Sequence, residues 1–253
     1  MRTNWVRERL NKGQATIGCL VGLGSPTVVE MLAHAGFDWL VIESEHNALD
    51  SAEIQNMLMA MNGTEAIPLV RIPSSNPVFI QRALDMGALG ILAPLVKNAA
   101  EAAAIVSATR FPPMGVRSLG ALRASKYTLD NEDYFNRAND NILVALILER
   151  KEAVENLEEI CRVPGIDALF FGSWDLCLSY GLNPLKQPYP EIEAVIDRML
   201  EVGKKTGVAM GIGAITPEQL RMRQAQGFTF LVYGPEYKLF VDAVSAGLKA
   251  FVR

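Results

Sequence analysis

Short apolar runs recur along the chain, and the stretches between them open on a capping side chain and close on glycine. The runs read as strands at 15–23, 37–46, 67–73, 90–96, 142–149, 167–171, 208–215 and 228–234. Continuous Leu, Val and Ile without polar alternation is what a strand covered on both faces requires. The stretches between them read as helices. Ser25 and Pro26 put an N-cap hydroxyl before a proline at the first helical position, where its missing N–H is harmless, and Gly36 ends that helix. The same grammar returns with Asp50 and Gly63, Asn76-Pro77 and Gly87, Pro190 and Gly207, and Thr216-Pro217 and Gly227. Asn98 and Glu101 are expected to form a capping box for a helix reaching Arg110. A longer irregular segment spans 111–141, with a polar helix expected over Glu132–Ala138, and one helix is expected from strand five to about Arg162.

Strands alternating with helices imply an α/β protein with a parallel sheet and right-handed crossovers. An open doubly wound sheet is the competing arrangement. No GxGxxG follows the first strand, however, and eight units fit barrel closure. Nothing in the composition marks a linker, so residues 1–253 are expected to form a single (β/α)8 TIM barrel preceded by an N-terminal helix that ends near Gly13.

Composition narrows the partners. The net charge is −4 with no basic block, which argues against nucleic acid or an anionic membrane surface. The first ten residues are charged throughout and do not read as a signal peptide, and no apolar run approaches the ~20 residues that span a bilayer. Cys19, Cys161 and Cys177 are odd in number and far apart, indicating neither a disulfide framework nor a thiolate zinc site. A cytoplasmic protein is expected.

In a parallel barrel, chemistry sits where strands end at the C-terminal rim. Strand two ends in Glu43, Glu45 and His46, strand three carries Arg71, strand five ends in Glu149, and strand six leads to Asp175. Carboxylates converging on one rim repel unless a cation lies between them. Oxygen donors without nearby Cys or several His suit Mg²⁺ or Mn²⁺ better than Zn²⁺. An ion pair with Arg71 or Arg150 explains the same residues equally well. His46 is the better proton-transfer candidate of the two histidines, since His34 falls within a helix. Asp85, near a helix end, reads as an ordinary solvated charge.

Together these residues resemble the class II, metal-dependent pyruvate aldolases of the HpcH/HpaI type, which cleave 4-hydroxy-2-oxoheptanedioate and related 2-keto-3-deoxy sugar acids. The resemblance runs over nearly the whole chain. It is carried by AGFDWLVI at 35–42 with Glu45-His46, by Val70-Arg71, by RFPPMGVR at 110–117, by Glu149, and by Gly172 with Asp175-Leu176. It implies a homo-oligomer, usually a hexamer, with Glu149 and Asp175 as ligands of Mg²⁺ or Mn²⁺, or of Co²⁺. Arg71 would steady a pyruvate enolate, and His46 would move the proton of the hydroxyl at the breaking bond. Asp85 of a neighbouring subunit would pair with His46. Gly172, Ser173 and the Trp174 backbone N–H would hold the keto-acid carboxylate, with Glu43 also on the substrate.

The chain departs from the usual pattern at Glu43 (Asp), Ile147 (Gln), Leu20 (Trp), Gly213 (Leu) and Ser173-Trp174 (Pro-small). The implied activity is an aldolase that cleaves or forms 2-keto-4-hydroxy acids. Oxaloacetate decarboxylation through the same enolate, or a barrel that binds keto acid without turnover, is the alternative. Trp174 reads first as a ring packed under a neighbouring loop, and second as a new wall facing the acceptor aldehyde.

Overall fold

Each apolar run forms a strand of one closed parallel barrel, in sequence order around the ring, in the computed structural model, which describes residues 1–251. The strands are β1 (Thr16–Val21), β2 (Trp39–Glu43), β3 (Ile67–Arg71), β4 (Gly90–Ala93), β5 (Leu143–Leu148), β6 (Ala168–Phe171), β7 (Ala209–Ala214) and β8 (Phe230–Tyr233). Pairing of Thr16 with Phe230 through Gly18 with Val232 closes β8 onto β1. The helices on the outside are α2 (Pro26–Ala35), α3 (Ser51–Ala60), α4 (Pro77–Asp85), α5 (Ala99–Thr109), α6 (Asn131–Asn141), α7 (Lys151–Glu155), α8 (Leu157–Cys161), α9 (Ser173–Ser179), α10 (Pro190–Thr206), α11 (Pro217–Gln226) and α12 (Glu236–Lys249). They follow α1 (Trp5–Asn11).

Alternation along each strand sorts the core into two shells. Leu40 and Ile42 of β2 pack outward against the helices, while Trp39 and Val41 pack inward with Ile67, Leu69, Leu143, Ala145 and Phe230. Helix α1 closes the floor of the barrel with Val6 and Leu10. It is pinned there by Asn4 Nδ2 donating to Leu89 O at 2.8 Å and by Arg7 paired with Asp167 at 2.7 Å. The inner shell is close-packed at its base. The Trp39 ring stacks on Phe230 with centroids 4.0 Å apart, and a Cβ placed on Gly18 would lie 2.2 Å from that ring.

Several local expectations are corrected. The region expected as one helix after β5 is two short ones, α7 and α8. The polar helix is longer than 132–138, running Asn131–Asn141. The sequence reading missed α9, which begins immediately after β6. Asn98 does cap α5 by accepting from Glu101 N at 2.9 Å, but Glu101 reaches back to Lys97 N at 2.8 Å instead of to the cap residue. The reciprocal capping box is at Asp50 and Glu53, with bonds of 2.9 and 2.8 Å.

Gly18→Ala should destabilise the fold by roughly 1–3 kcal/mol, because overpacking the inner shell must displace the Trp39 indole. Urea unfolding followed by Trp fluorescence measures it, and an unchanged midpoint would show that the ring has room to move.

Candidate active site

The inward parity that buries Trp39 and Val41 continues to Glu43. The same count on β3 brings Arg71 inward, on β5 Glu149, and on β6 Gly172. Parallel register makes Glu43 and Arg71 direct Cα partners. Both are buried, as is Glu149, which is 1% exposed. They line a cavity of about 490 Å³ at the C-terminal end of the barrel, together with His46, Gly172, Ser173, Trp174 and Asp175. Its apolar wall includes Leu20, Ile147, Phe170 and Val232.

Arg71 is the hub. Its Nη1 donates to Glu43 Oε2 at 2.9 Å. Its Nη2 is ion-paired with Glu45 Oε2, without the alignment of a hydrogen bond, and lies 3.6 Å from Glu149 Oε2. Glu43 uses its other oxygen to accept from the backbone N–H groups of Glu45 (2.7 Å) and His46 (3.2 Å). Glu43, expected on the substrate, thus braces both Arg71 and the turn carrying His46. The His46 ring is exposed, with Nε2 3.8 Å from Glu45 Oε2.

Glu149 is held from several sides. Its Oε1 accepts from the backbone N–H of Leu95 at 2.6 Å. Position 172 must be glycine for this carboxylate to fit, since a Cβ there would lie 2.8 Å from Glu149 Cβ and 3.2 Å from its Oε2. Burial pushes Glu149 up to about 7, opposed by the Leu95 N–H and Arg71 and reinforced by the charges of Glu45 and Asp175. Burial likewise pushes Glu45 up to about 7, with Arg71 opposing and Glu43 and Asp175 adding to the rise.

Asp175, to which β6 leads as expected, sits in the first turn of α9, beside the Ser173 and Trp174 N–H groups that a helix start leaves without intrahelical partners. Trp174 is 62% exposed at the cavity mouth, which overturns the expectation of a ring packed under a loop. Asp85 is not brought to this rim. It lies in the last turn of α4, paired with Arg117 at 2.8 Å. His34 is on the surface.

Three participants escaped the sequence reading. Glu45 was seen at the strand end but not recognised as the second partner of Arg71. The Leu95 donor is a backbone group and leaves no side-chain signal. Glu236, 4% exposed, accepts from the N–H groups of Gly22 (2.6 Å) and Leu23 (2.7 Å). Its place in the first turn after Pro235 was the available clue.

Negative charge exceeds positive here, and apart from His46 the side chains able to hold a cation offer oxygen, which suits a hard divalent ion. Among the described residues no three His, Cys, Asp or Glu side chains form a cluster able to hold a metal. A cation of the Mg²⁺ kind needs no such cluster, since it takes one or two carboxylates and leaves its other positions to water and substrate, and Glu149 and Asp175 both put carboxylates on the cavity wall.

Comparison with known proteins gives a consistent result. A model of the HpcH/HpaI aldolase/citrate lyase family matches residues 16–243. A 2-dehydro-3,6-dideoxy-6-sulfogluconate aldolase of Pseudomonas putida is 36% identical over 245 residues, covering 95% of this chain and 94% of that one. A 5-keto-4-deoxy-D-glucarate aldolase of Enterobacter sp. (strain 638) is 34% identical, covering 95% and 93%. The crystal structure of an HpcH/HpaI aldolase/citrate lyase family protein from Burkholderia cenocepacia J2315 superposes with a TM-score of 0.92 at 33% identity, covering 98% of each chain.

The pH dependence of stability follows from Glu149. Its folded value of about 7 lies above the ordinary 4.5, so between these the folded protein holds a proton that the unfolded chain releases. Stability from this group is present below 4.5 and lost as the pH rises through about 7. Metal-free Glu149→Gln should therefore gain thermal stability relative to the parent as pH is raised across that window. Melting curves that stay parallel at every pH would contradict the assignment.

Proposed function

The chain belongs to the HpcH/HpaI aldolase/citrate lyase family, whose members are carbon–carbon lyases acting on keto acids, and from that premise we propose that it is a metal-dependent pyruvate aldolase. The reaction is cleavage or formation of a 2-keto-4-hydroxy acid through a pyruvate enolate. The observation that carries this reading is Arg71: a buried guanidinium, shared between Glu43, Glu45 and Glu149, facing a cavity with an apolar wall.

Glu149 and Asp175 would hold Mg²⁺ or Mn²⁺, with Co²⁺ a further candidate. When bound, the ion supplies a Lewis acid for the keto oxygen. Gly172, Ser173 and the Trp174 N–H hold the substrate carboxylate. Arg71 donates to the keto oxygen and stabilises the charge that gathers there as the carbon–carbon bond breaks. Because the guanidinium is already fixed by Glu43, little reorganisation is needed when that charge appears. His46 takes the proton from the hydroxyl whose carbon becomes the aldehyde. No Schiff-base lysine is required, and none lines the cavity.

Asp85 acts from a neighbouring copy, pairing with His46 across an interface. A homo-oligomer, by resemblance a hexamer, is supported by α12, where Tyr237, Phe240, Val241, Val244 and Leu248 are all exposed. Light scattering should return a mass several times the 27.7 kDa of one chain. A monomer at micromolar concentration would remove the shared site.

The reaction is tested with pyruvate proton exchange in deuterated buffer containing Mn²⁺, which needs no knowledge of the aldehyde, alongside aldol cleavage and oxaloacetate decarboxylation. Glu149→Ala and Asp175→Ala should abolish all three. Arg71→Ala should lower all three, by about 10²–10³ in rate. His46→Ala should lose aldol cleavage and keep most decarboxylation, which needs no hydroxyl proton transfer. Parent protein without exchange would leave a keto-acid-binding barrel, and equal loss of both activities in His46→Ala would remove its proton-transfer role.

A further inference from the structure

Leu95 has φ of +64°, a left-handed conformation that costs any residue with a Cβ and is otherwise taken, among the described non-glycine residues, by Lys126, Tyr127 and Thr128 in the 111–130 segment. Those three do not line the rim cavity, and Lys126 and Tyr127 line a different one. Leu95 lies between the end of β4 and the start of α5, one hydrogen bond away from the cavity-lining Glu149. Packing of its own side chain does not explain the conformation, because Leu95 is 36% exposed. Its neighbours are the fixed points: Ala93 and Val96 are buried, Pro94 is buried and has its own φ locked by the ring, and Leu95 absorbs the turn between them.

The peptide unit joining Pro94 to Leu95 is held at both ends. Its carbonyl oxygen accepts from Ser75 Oγ at 3.2 Å, and its N–H donates to Glu149 Oε1 at 2.6 Å. A loop beyond β3, the turn after β4 and the end of β5 are thereby tied into one line that ends on the carboxylate. With Oε1 occupied and the backbone of Gly172 against its stem, Glu149 keeps Oε2 toward Arg71 and the cavity. Strain retained at such a place, where the fold around it over-determines the conformation, points to a function for the strained residue.

We propose that Leu95 is a positioning residue: its left-handed backbone, steadied by Ser75, aims an N–H at Glu149 and fixes which carboxylate oxygen faces the substrate. The inference rests on the reading of Glu149 as a cation ligand and adds to it a backbone element that no side-chain comparison would reveal. Groups that orient a metal ligand are typically worth about 10–100-fold in metal affinity or activity.

The test uses the full-length protein, with Mn²⁺ binding measured by electron paramagnetic resonance and turnover by pyruvate proton exchange. Leu95→Val places a β-branched residue where φ is positive, so the turn should relax and the N–H leave Glu149. Mn²⁺ affinity and kcat should each fall about 10–100-fold. Leu95→Gly accepts the same φ without strain and keeps the N–H, so it should recover most of both, with a metal-free melting temperature no lower than the parent's. In a Glu149→Gln background, Leu95→Val should add no further loss of Mn²⁺ binding. Should Leu95→Val fail to fold, Ser75→Ala serves in its place, with a smaller loss in the same direction. Leu95→Val that matches a Mn²⁺-binding, exchanging parent overturns the positioning role alone, as does equal loss in the Val and Gly variants. A parent that neither binds Mn²⁺ nor exchanges overturns the functional reading together with it.

Discussion

Arg71 must neutralise several carboxylates at once where little water reaches, and the rest of the site is arranged around that demand. Glu43 and Glu149 are buried, and a buried charge is tolerated only when it is paired and hydrogen-bonded. One guanidinium with a planar fork of donors can face Glu43 with one nitrogen and Glu45 and Glu149 with the other; a lysine could not. Even so the charges do not balance, and burial holds Glu45 and Glu149 near 7. A rim in that condition is receptive to a cation, which is the electrostatic sense of the donor set.

The cavity is divided by chemistry. Arg71 and the carboxylates around it come from β2, β3, the end of β5 and the start of α9, while β1, β7 and β8 contribute the uncharged Leu20, Gly213 and Val232, and Glu193, Arg223 and Glu236 enter from α10, α11 and α12. Gly213 is not needed for packing. A Cβ there would find only Phe170 Cζ, at 4.0 Å, so its lack of a side chain simply leaves the cavity wider. On the reading proposed above, the residues assigned to the keto acid lie on β2, β3, β5 and the start of α9, and the wall left open by Gly213 belongs to β7.

Rim carboxylates also anchor loops. Glu43 takes the N–H groups of Glu45 and His46, Glu149 that of Leu95, and Glu236 those of Gly22 and Leu23. In each case an acid at or just past a strand end satisfies backbone donors of a βα loop that would otherwise be stranded. The acids near the chemistry thus keep the loops around it in place, which is why a single charge-to-neutral change there would alter shape as well as potential.

Much of this was written in the sequence, because the signals are local. Apolar runs, capping residues and closing glycines fix the number and order of the strands and the place of most helices between them, and strand periodicity fixes that Glu43, Arg71 and Glu149 point the same way as Trp39, Ile67 and Leu143. What closure brings together was not legible. The sequence separates Leu95 from Glu149 and Gly22 from Glu236, and only the staggered ring sets an N–H of one against an oxygen of the other. The start of α9 was also missed, since Gly172-Ser173-Trp174 lacks a capping side-chain bond, and with it the place of Asp175 on a helix turn. Trp174 was misjudged because a large ring favours burial on average, whereas its position at a helix start on the rim leaves it in solvent. Direction along a strand is a property of the chain; which backbone donor meets which buried acid is a property of the closed barrel.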